Sequence, residues 1–550
     1  MNYFLLAFKS VDSSLDAFLL SNIAIISTVL MIFVGYKLLQ MLQLTGYKLK
    51  GYISWFKETK YSYVSRLFML TFLSLASMLM TNVLLEDFFI VRPLKFIGIL
   101  FYILFSSLFI TNLFTAKQKT PLKYTRRMTR LLIVYTLIVA AFTFLVEVVG
   151  FLYVPYISYG LIGVIPIMIP LFVFLAYFIT YPLEKVIANS FLKKAKKNLA
   201  SHKNIIVIGI TGSYGKTSVK NILKTILSEK YKVCASPSSY NTPLGLSKTI
   251  LSNLAVDDEI FIAEMGAKQR YDIKELAQMV KPTYGIITGV GNQHLLTFGN
   301  EDNIIETKSE LANYITEVSG KLYINTESEK TEKLAKNFKN AIKISISKED
   351  SKLKIKNIKT TKEGSSFELE LDNVSKKCKT VLLGEHNISN ILLASRVAID
   401  LGLTLDDIVN GISKLASIPH RLEVVKSLAS YTIIDNAYNS SVEGSKASLK
   451  VLQNFDGQKI VITPGLVELG SEQFNANFEF GIDMAKYCDY VIIDSAINYD
   501  AIAAGLEFGG FNAEKIIQVG NLSQAVAMVN TIAKQGDVVL FENDLPDNYS

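Results

Sequence analysis

Residues 211–218 read Thr211-Gly212-Ser213-Tyr214-Gly215-Lys216-Thr217-Ser218, directly after the apolar run 205–210 and directly before an amphipathic stretch that starts at Lys216. A strand that breaks at glycines and resumes as a helix lets backbone N–H groups close around phosphate oxygens. In that setting the helix N-terminus adds positive potential, Lys216 reaches the terminal phosphates of ATP and Thr217 offers a hydroxyl to Mg²⁺. The general nucleotide loop has four residues between its glycines. Gly212 and Gly215 have only two between them, so the reading rests on the strand–loop–helix context. No Ser-His-Asp or Cys-His arrangement offers a protein nucleophile. Cys234, Cys378 and Cys488 are too widely spaced for a CxxC pair and read as reduced, structural residues. With 4 histidines in the chain, any metal site must rely on oxygen ligands.

The elements that must position this loop alternate. After 204, short β-rich runs (NIIVIGI, EIFIAEM, YGIITGV) alternate with amphipathic stretches from Lys216, at 272–280 and at 301–314. That alternation predicts a parallel sheet with helices on both faces. The Lys-, Ser- and Glu-rich stretch 343–380 predicts a strand-rich excursion. YTIID, KIVITPG, YVIIDS, KIIQVG and DVVLFE, with helices at 442–452 and 475–485, predict a further Rossmann-like domain beginning near Pro419.

At 550 residues the chain exceeds the size of a single core, and its 50% hydrophobic content is concentrated in the first third. Five apolar stretches, 18–40, 65–86, 95–115, 131–154 and 159–181, approach the roughly 20 residues that a membrane-crossing helix requires. The first lacks the features of a cleavable signal and is expected to remain. Lys48, Lys50, Lys57 and Lys60, then Lys117 to Arg130, then Lys193 to Lys197 fall in alternate connections, which predicts these on the cytoplasmic side, the N-terminus outside and the rest of the chain in the cytosol. The segment 42–56 reads equally as an interfacial helix or a tight basic connector, and Glu147 as an interfacial acid. The net charge of +8 is accounted for by these membrane-flanking basic residues, so nucleic acid is not an expected partner. The expected domains are 1–200, 201–417 and 418–550.

The shortened loop TGSYGKTS resembles the ATP loop of the Mur ligase family, and SYNTPLGL (239–246), IAEMGA (262–267), VKPTYGIITGVGNQHLLTFG (280–299), ETKSEL (306–311), GEHNISN (384–390), IPHRLE (418–423) and IDNAYNSS (434–441) follow in the family's order. The resemblance is to the D-alanyl-D-alanine-adding branch and covers most of 203–550. It implies α/β domains, a P-loop Mur ligase central domain and a Rossmann-like C-terminal domain, which here follow the α-helical transmembrane domain expected from the five apolar stretches. It implies ATP and Mg²⁺ as cofactors, with Thr217, Glu264 and His294 as metal ligands and Lys216, Lys308 and His294 in catalysis. Taken alone, Glu264 is a strand-end acid, His294 a loop histidine and Lys308 a surface helix lysine. The resemblance makes Lys308 the residue whose carbamate holds a second Mg²⁺. It further implies that His386, Asn387 and Asn390 support the nucleotide, that Arg421 binds ATP phosphate from the next domain, and that Asp435 lies at the ribose. The activity implied is ATP-dependent amide formation through an acyl phosphate.

Three features depart from the family pattern. A membrane domain stands where a UDP-binding domain is usual, Asp435-Asn436 stands for an Asp-Asp pair, and FENDLPDN (541–548) stands for a lysine-glycine-serine-arginine segment. The expected function is a membrane-anchored ligase adding a small amine, an amino acid or dipeptide, to an envelope precursor, a lipid-linked carboxylate acceptor being one form. Two other readings stand beside it: a polymerising ligase of the poly-γ-glutamate type, and a membrane transport or scaffold protein with a regulatory ATPase domain.

Overall fold

The computed structural model describes residues 13–58, 63–83, 92–115, 121–152, 155–237, 239–293, 295–347, 352–425, 427–438 and 441–543. The chain divides after Ile187 into two compact units.

The first unit is helical. Its helices are Ser13–Val34, Tyr36–Leu44, Leu49–Glu58, Tyr63–Val83, Arg92–Thr115, Arg126–Leu152 and Pro155–Ser201, the end of the last belonging to the second unit. Among the described residues, five segments are long and apolar enough to cross a membrane: Asn22–Leu44, Tyr63–Met80, Ile97–Phe114, Arg126–Val149 and Ser158–Ser201. These helices are apolar all round. Met31, Leu38, Tyr102 and Tyr135 are buried inside the unit, while Phe68, Phe72, Leu100 and Phe144 are exposed, the pattern of helices whose outer face needs no water. Two of the interior hydroxyl contacts cross between helices: Ser27 and Tyr102 share a 2.6 Å hydrogen bond, and the Tyr135 hydroxyl donates to the Met31 carbonyl at 2.7 Å. That phenol lies so close to Gly35 that a methyl group there would come within 2.3 Å of it, and the first helix breaks at this glycine. Arg130 clasps Glu184 with two hydrogen bonds, 2.5 and 3.0 Å. The segment 42–56 resolves into the end of one helix, a turn and a second helix that buries Tyr52 and Trp55.

The second unit holds three sheets. Strands β1 (Ile206–Thr211), β2 (Val233–Ala235), β3 (Ile260–Glu264), β4 (Tyr284–Ile287), β5 (Lys321–Asn325) and β6 (Ile342–Ile344) form one parallel sheet in the order β2-β3-β1-β4-β5-β6. Side chains alternate across it, as strand geometry requires. Ile208 and Ile210 pack with the helices Lys216–Leu227 and Glu385–Asp400. On the opposite face, Val207, Phe261 and Ala263 pack with the helices Asp272–Val280 and Glu301–Glu317. The order reverses direction around β1, which opens a crevice at the carboxyl ends of β1, β3 and β4, where ligands bind in such sheets.

The strand-rich excursion is an antiparallel sheet of β7 (Leu353–Thr361), β8 (Gly364–Leu371) and β9 (Val374–Thr380). The C-terminal sheet contains β10 (Glu423–Val425), β11 (Thr432–Asn436), β12 (Lys459–Thr463), β13 (Tyr490–Ile493), β14 (Ile516–Gln518) and β15 (Val538–Glu542) in the order β10-β11-β15-β12-β13-β14. All its pairings are parallel except β10 with β11.

Candidate active site

The loop between β1 and the helix Lys216–Leu227 ends at Gly215, whose φ of 79° is left-handed and costs glycine nothing. It is tied to the loop that follows β4. The Ser213 N–H donates to the Gly289 carbonyl at 2.7 Å, the Ser213 hydroxyl to the Gly291 carbonyl at 3.0 Å, and the Thr288 hydroxyl to the Tyr214 carbonyl. Thr211 and Ser218 are buried, and Thr211 donates to the Met265 carbonyl at 3.2 Å, which ties the end of β1 to the chain after β3. The Lys216 ammonium folds back onto the Gly212 and Ser213 carbonyls at 2.6 and 3.0 Å. Burial pulls its pKa down to about 8; Glu264 acts against the shift and Arg421 adds to it. An ammonium on a flexible stem held only by carbonyls can swing to a phosphate oxygen placed in the loop.

Register places Glu264 beside Ile210, at the crevice. Its carboxylate is 1% exposed and receives three donors: the Thr217 hydroxyl at 3.1 Å, the Asn241 amide at 3.2 Å and the Lys220 ammonium at 3.0 Å. Among the described residues no group of three or more His, Cys, Asp or Glu side chains converges to hold a metal. The oxygens of Glu264 and Thr217 nonetheless suit Mg²⁺, which keeps several waters and completes its shell with substrate phosphates. His294 lies outside the described residues.

Lys308 is no surface lysine. It is 3% exposed, on the face of its helix that also buries Ile304, Leu311 and Ile315, and its ammonium stands 5.9 Å from the centre of the Phe298 ring. Asn300 caps that helix by accepting from the Asn303 N–H. Burial pulls the Lys308 pKa to about 7 and the nearby Lys216 adds to the shift, so a large fraction is neutral amine at neutral pH.

The C-terminal domain adds a further cation to the crevice. Arg421 sits between His420 (φ 58°) and Leu422 (φ 51°), both in the left-handed region, a strained turn that presents the guanidinium. It donates to the Tyr438 carbonyl at 2.6 Å and lies 4.8 Å from that ring's centre. Burial lowers its pKa, and Tyr438 and Glu264 act against the shift, which puts Arg421 within electrostatic reach of the central domain's acid. Asp435 accepts from the Ala437 N–H at 2.9 Å, and its other oxygen lies 2.7 Å from His420 Nδ1. Asn387 and Asn390 are buried at the start of the helix Glu385–Asp400, and a methyl group at Gly215 would come within 3.2 Å of the Asn390 side-chain oxygen. Burial lowers the His386 pKa to about 4, so the ring is neutral.

Lys220, Asn241 and Glu542 were not singled out by sequence. Lys220 lies one helical turn beyond Lys216 on a face that buries Leu223 and Leu227, a periodic signal that marks a lysine pointing inward. Glu542, fully buried at the end of β15, accepts from the Asn436 amide at 2.9 Å and the Ser448 hydroxyl at 2.5 Å. The two departures at Asn436 and Glu542 are therefore one contact: an amide donates to the carboxylate where a second acid would repel it.

The sequence profile of the Mur ligase middle domain matches residues 210–398, and that of the Mur ligase glutamate ligase domain matches residues 420–542, together more than half of the chain. The UDP-N-acetylmuramoyl-tripeptide--D-alanyl-D-alanine ligase of Synechocystis sp. is 30% identical over 348 residues, 62% of this chain and 71% of that protein. Its counterpart in Bacillus subtilis is 26% identical over 347 residues, 61% and 72% of the two chains. The crystal structure of MurF ligase from Thermotoga maritima in complex with ADP superposes with a TM-score of 0.57 at 26% identity, covering 65% of this chain and 80% of that one.

Proposed function

The chain belongs to the Mur ligase family, ATP-dependent enzymes that form C–N bonds between an acid and an amino acid, and on that premise we propose that it adds D-alanyl-D-alanine or a similar small amine to the terminal carboxylate of a muramoyl-peptide precursor. The observation that carries this reading is the convergence of Lys216, Thr217 and Glu264 at the carboxyl ends of one sheet with Arg421 from the next domain. Lys216, Lys220 and Arg421 set positive charge around the buried acid Glu264, an environment suited to a triphosphate.

In the proposed reaction a carboxylate oxygen of the precursor attacks the γ-phosphorus of ATP. The bond from that phosphorus to the β–γ bridging oxygen breaks and ADP leaves. The amine then attacks the acyl carbon of the resulting acyl phosphate, and inorganic phosphate departs with one oxygen of the original carboxylate. Lys216 and Arg421 offset charge on the transferred phosphoryl group in a site from which domain closure excludes water. Thr217 and Glu264, with His294, would hold Mg²⁺, which neutralises phosphate oxygens when bound. The neutral amine of Lys308 is fit to take up CO₂, releasing a proton and leaving a carbamate as an anionic ligand. Asn387 and Asp435 would bind the nucleoside.

On this reading the enzyme is a multi-pass protein of the cell membrane with its ligase domains in the cytosol, where ATP is available; the length and apolarity of five helical segments and the basic residues in alternate connections support it. Full-length protein in nanodiscs, given ATP, D-alanyl-D-alanine and either UDP-N-acetylmuramoyl tripeptide or its lipid-linked counterpart, tests the reading by mass spectrometry of the products. One amide per ADP on either acceptor supports it. ADP without amide favours a regulatory ATPase, and a ladder of masses a polymerising ligase.

A further inference from the structure

Lys220 belongs to no step of that mechanism, yet it is among the largest fully buried side chains of the protein, and its ammonium lies 3.0 Å from Glu264 Oε2. The same oxygen accepts from Thr217, the other residue suited to Mg²⁺. Burying an ammonium is costly unless it is paired, so a lysine kept in this place by an otherwise apolar helix face needs a reason. We propose that Lys220 is a positioning residue that acts as a resident counter-cation for Glu264: it holds the carboxylate in its crevice-facing geometry when no metal is bound and competes with Mg²⁺ for Oε2, so that the site tightens on the metal only when nucleotide phosphates arrive with it.

The geometry gives the carboxylate distinct partners on its two oxygens. Asn241 fixes Oε1 at 3.2 Å from the loop ahead of the helix Pro243–Ser252, and the Ser236 hydroxyl accepts from the Glu264 N–H at 3.2 Å. Oε2 carries Lys220 and Thr217. A divalent ion approaching Oε2 and the Thr217 hydroxyl meets an ammonium already engaged there, and like charges so close disfavour one another. Mg²⁺ alone therefore binds weakly, and Mg²⁺ carried by ADP or ATP brings the negative charge that relieves the repulsion. Unliganded protein stays folded with this acid buried because Lys220 is its charge partner.

The proposal rests on the reading of Glu264 as a metal ligand, and the test separates the two. Full-length wild type, Lys220→Met, Glu264→Gln and the double variant are compared by thermal unfolding without nucleotide or metal, with increasing Mg²⁺ alone, with ADP alone, and with ADP plus increasing Mg²⁺. Lys220→Met should melt below wild type in the absence of metal, recover with Mg²⁺ by a larger shift than wild type, and bind Mg²⁺ without nucleotide roughly tenfold more tightly, a gap that narrows when ADP is present. Glu264→Gln should also melt low, and the double variant should melt above the lower of the two single variants, because each single change strands a buried charge that the second removes. If Lys220→Met does not fold, the comparison of Glu264→Gln with the double variant still decides: melting losses that simply add overturn the pair. A Mg²⁺ shift in wild type that is no larger in Lys220→Met overturns the competition while leaving Glu264 a ligand. Equal Mg²⁺ responses in wild type and Glu264→Gln remove Glu264 from the metal site and the proposal with it.

Discussion

Replacing Lys308 by methionine should make the protein more stable and inactive. The side chain is 3% exposed, so solvent screening scarcely relieves the cost of its charge. Its pKa falls from 10.5 to about 7 in the fold. Because the folded-state pKa is depressed, stability from this group is fully present above the unfolded value and is lost as pH falls toward the folded one. At about 1.36 kcal/mol per pKa unit, the charged lysine costs the fold on the order of 4 kcal/mol at pH 7 and about 2 kcal/mol at pH 9. Methionine has similar length, no charge and no titration, so the stability difference between Lys308→Met and wild type should narrow by about 2 kcal/mol across that interval. Chemical denaturation of both proteins in CO₂-free buffer at pH 6, 7, 8 and 9 measures it, as a difference between two proteins that share every other titrating group. A difference that does not change with pH, or a variant less stable than wild type throughout, would refute the buried neutral amine. Ligation by the wild type should fall in the same CO₂-free buffer and return on adding bicarbonate, while the variant stays inactive.

Lys216→Ala should lower phosphoryl transfer by about two to three orders of magnitude with little change in the unfolding midpoint, measured as ADP release alongside thermal melts. Arg421→Ala removes a charge-assisted contact and should weaken ATP binding roughly ten- to a hundredfold by calorimetry, with Arg421→Lys recovering only part because a planar fork is lost. Asn436→Asp sets a second carboxylate against buried Glu542 and should cost about 3 kcal/mol, whereas the companion change Glu542→Gln should restore much of it in a double-mutant cycle. A reporter fused after Lys197 should be cytoplasmic and one inserted near Tyr156 external; both on one side would overturn the span count.

The nucleotide side of this protein is legible from its sequence because its chemistry is local. Gly212, Gly215 and Lys216 sit between a strand and a helix whose periodicities are plain, and the helix 272–280 has the bounds that its pattern predicts. What escapes a linear reading is burial decided by tertiary packing. Lys308 reads as a surface residue because lysines usually are, and only its place in the stripe with Ile304 and Leu311 turns it inward. Lys220 is hidden for the same reason, one turn beyond a lysine of obvious role. Asn436 and Glu542 look like two unrelated losses because 106 residues separate them, and they become one hydrogen bond only when β11 and β15 pair. In the helical unit, apolarity all round identifies the long helices, yet the lack of room for a side chain at Gly35 comes from Tyr135, 100 residues away.

The most direct test of the central claim follows one oxygen atom. Precursor whose terminal carboxylate carries ¹⁸O is incubated with ATP, amine and the purified full-length protein, and the inorganic phosphate released is analysed by mass spectrometry. Activation of the carboxylate by ATP predicts one ¹⁸O in each phosphate formed with an amide bond. Phosphate free of label would mean that water, and not the carboxylate, attacks ATP, and would contradict the ligase account.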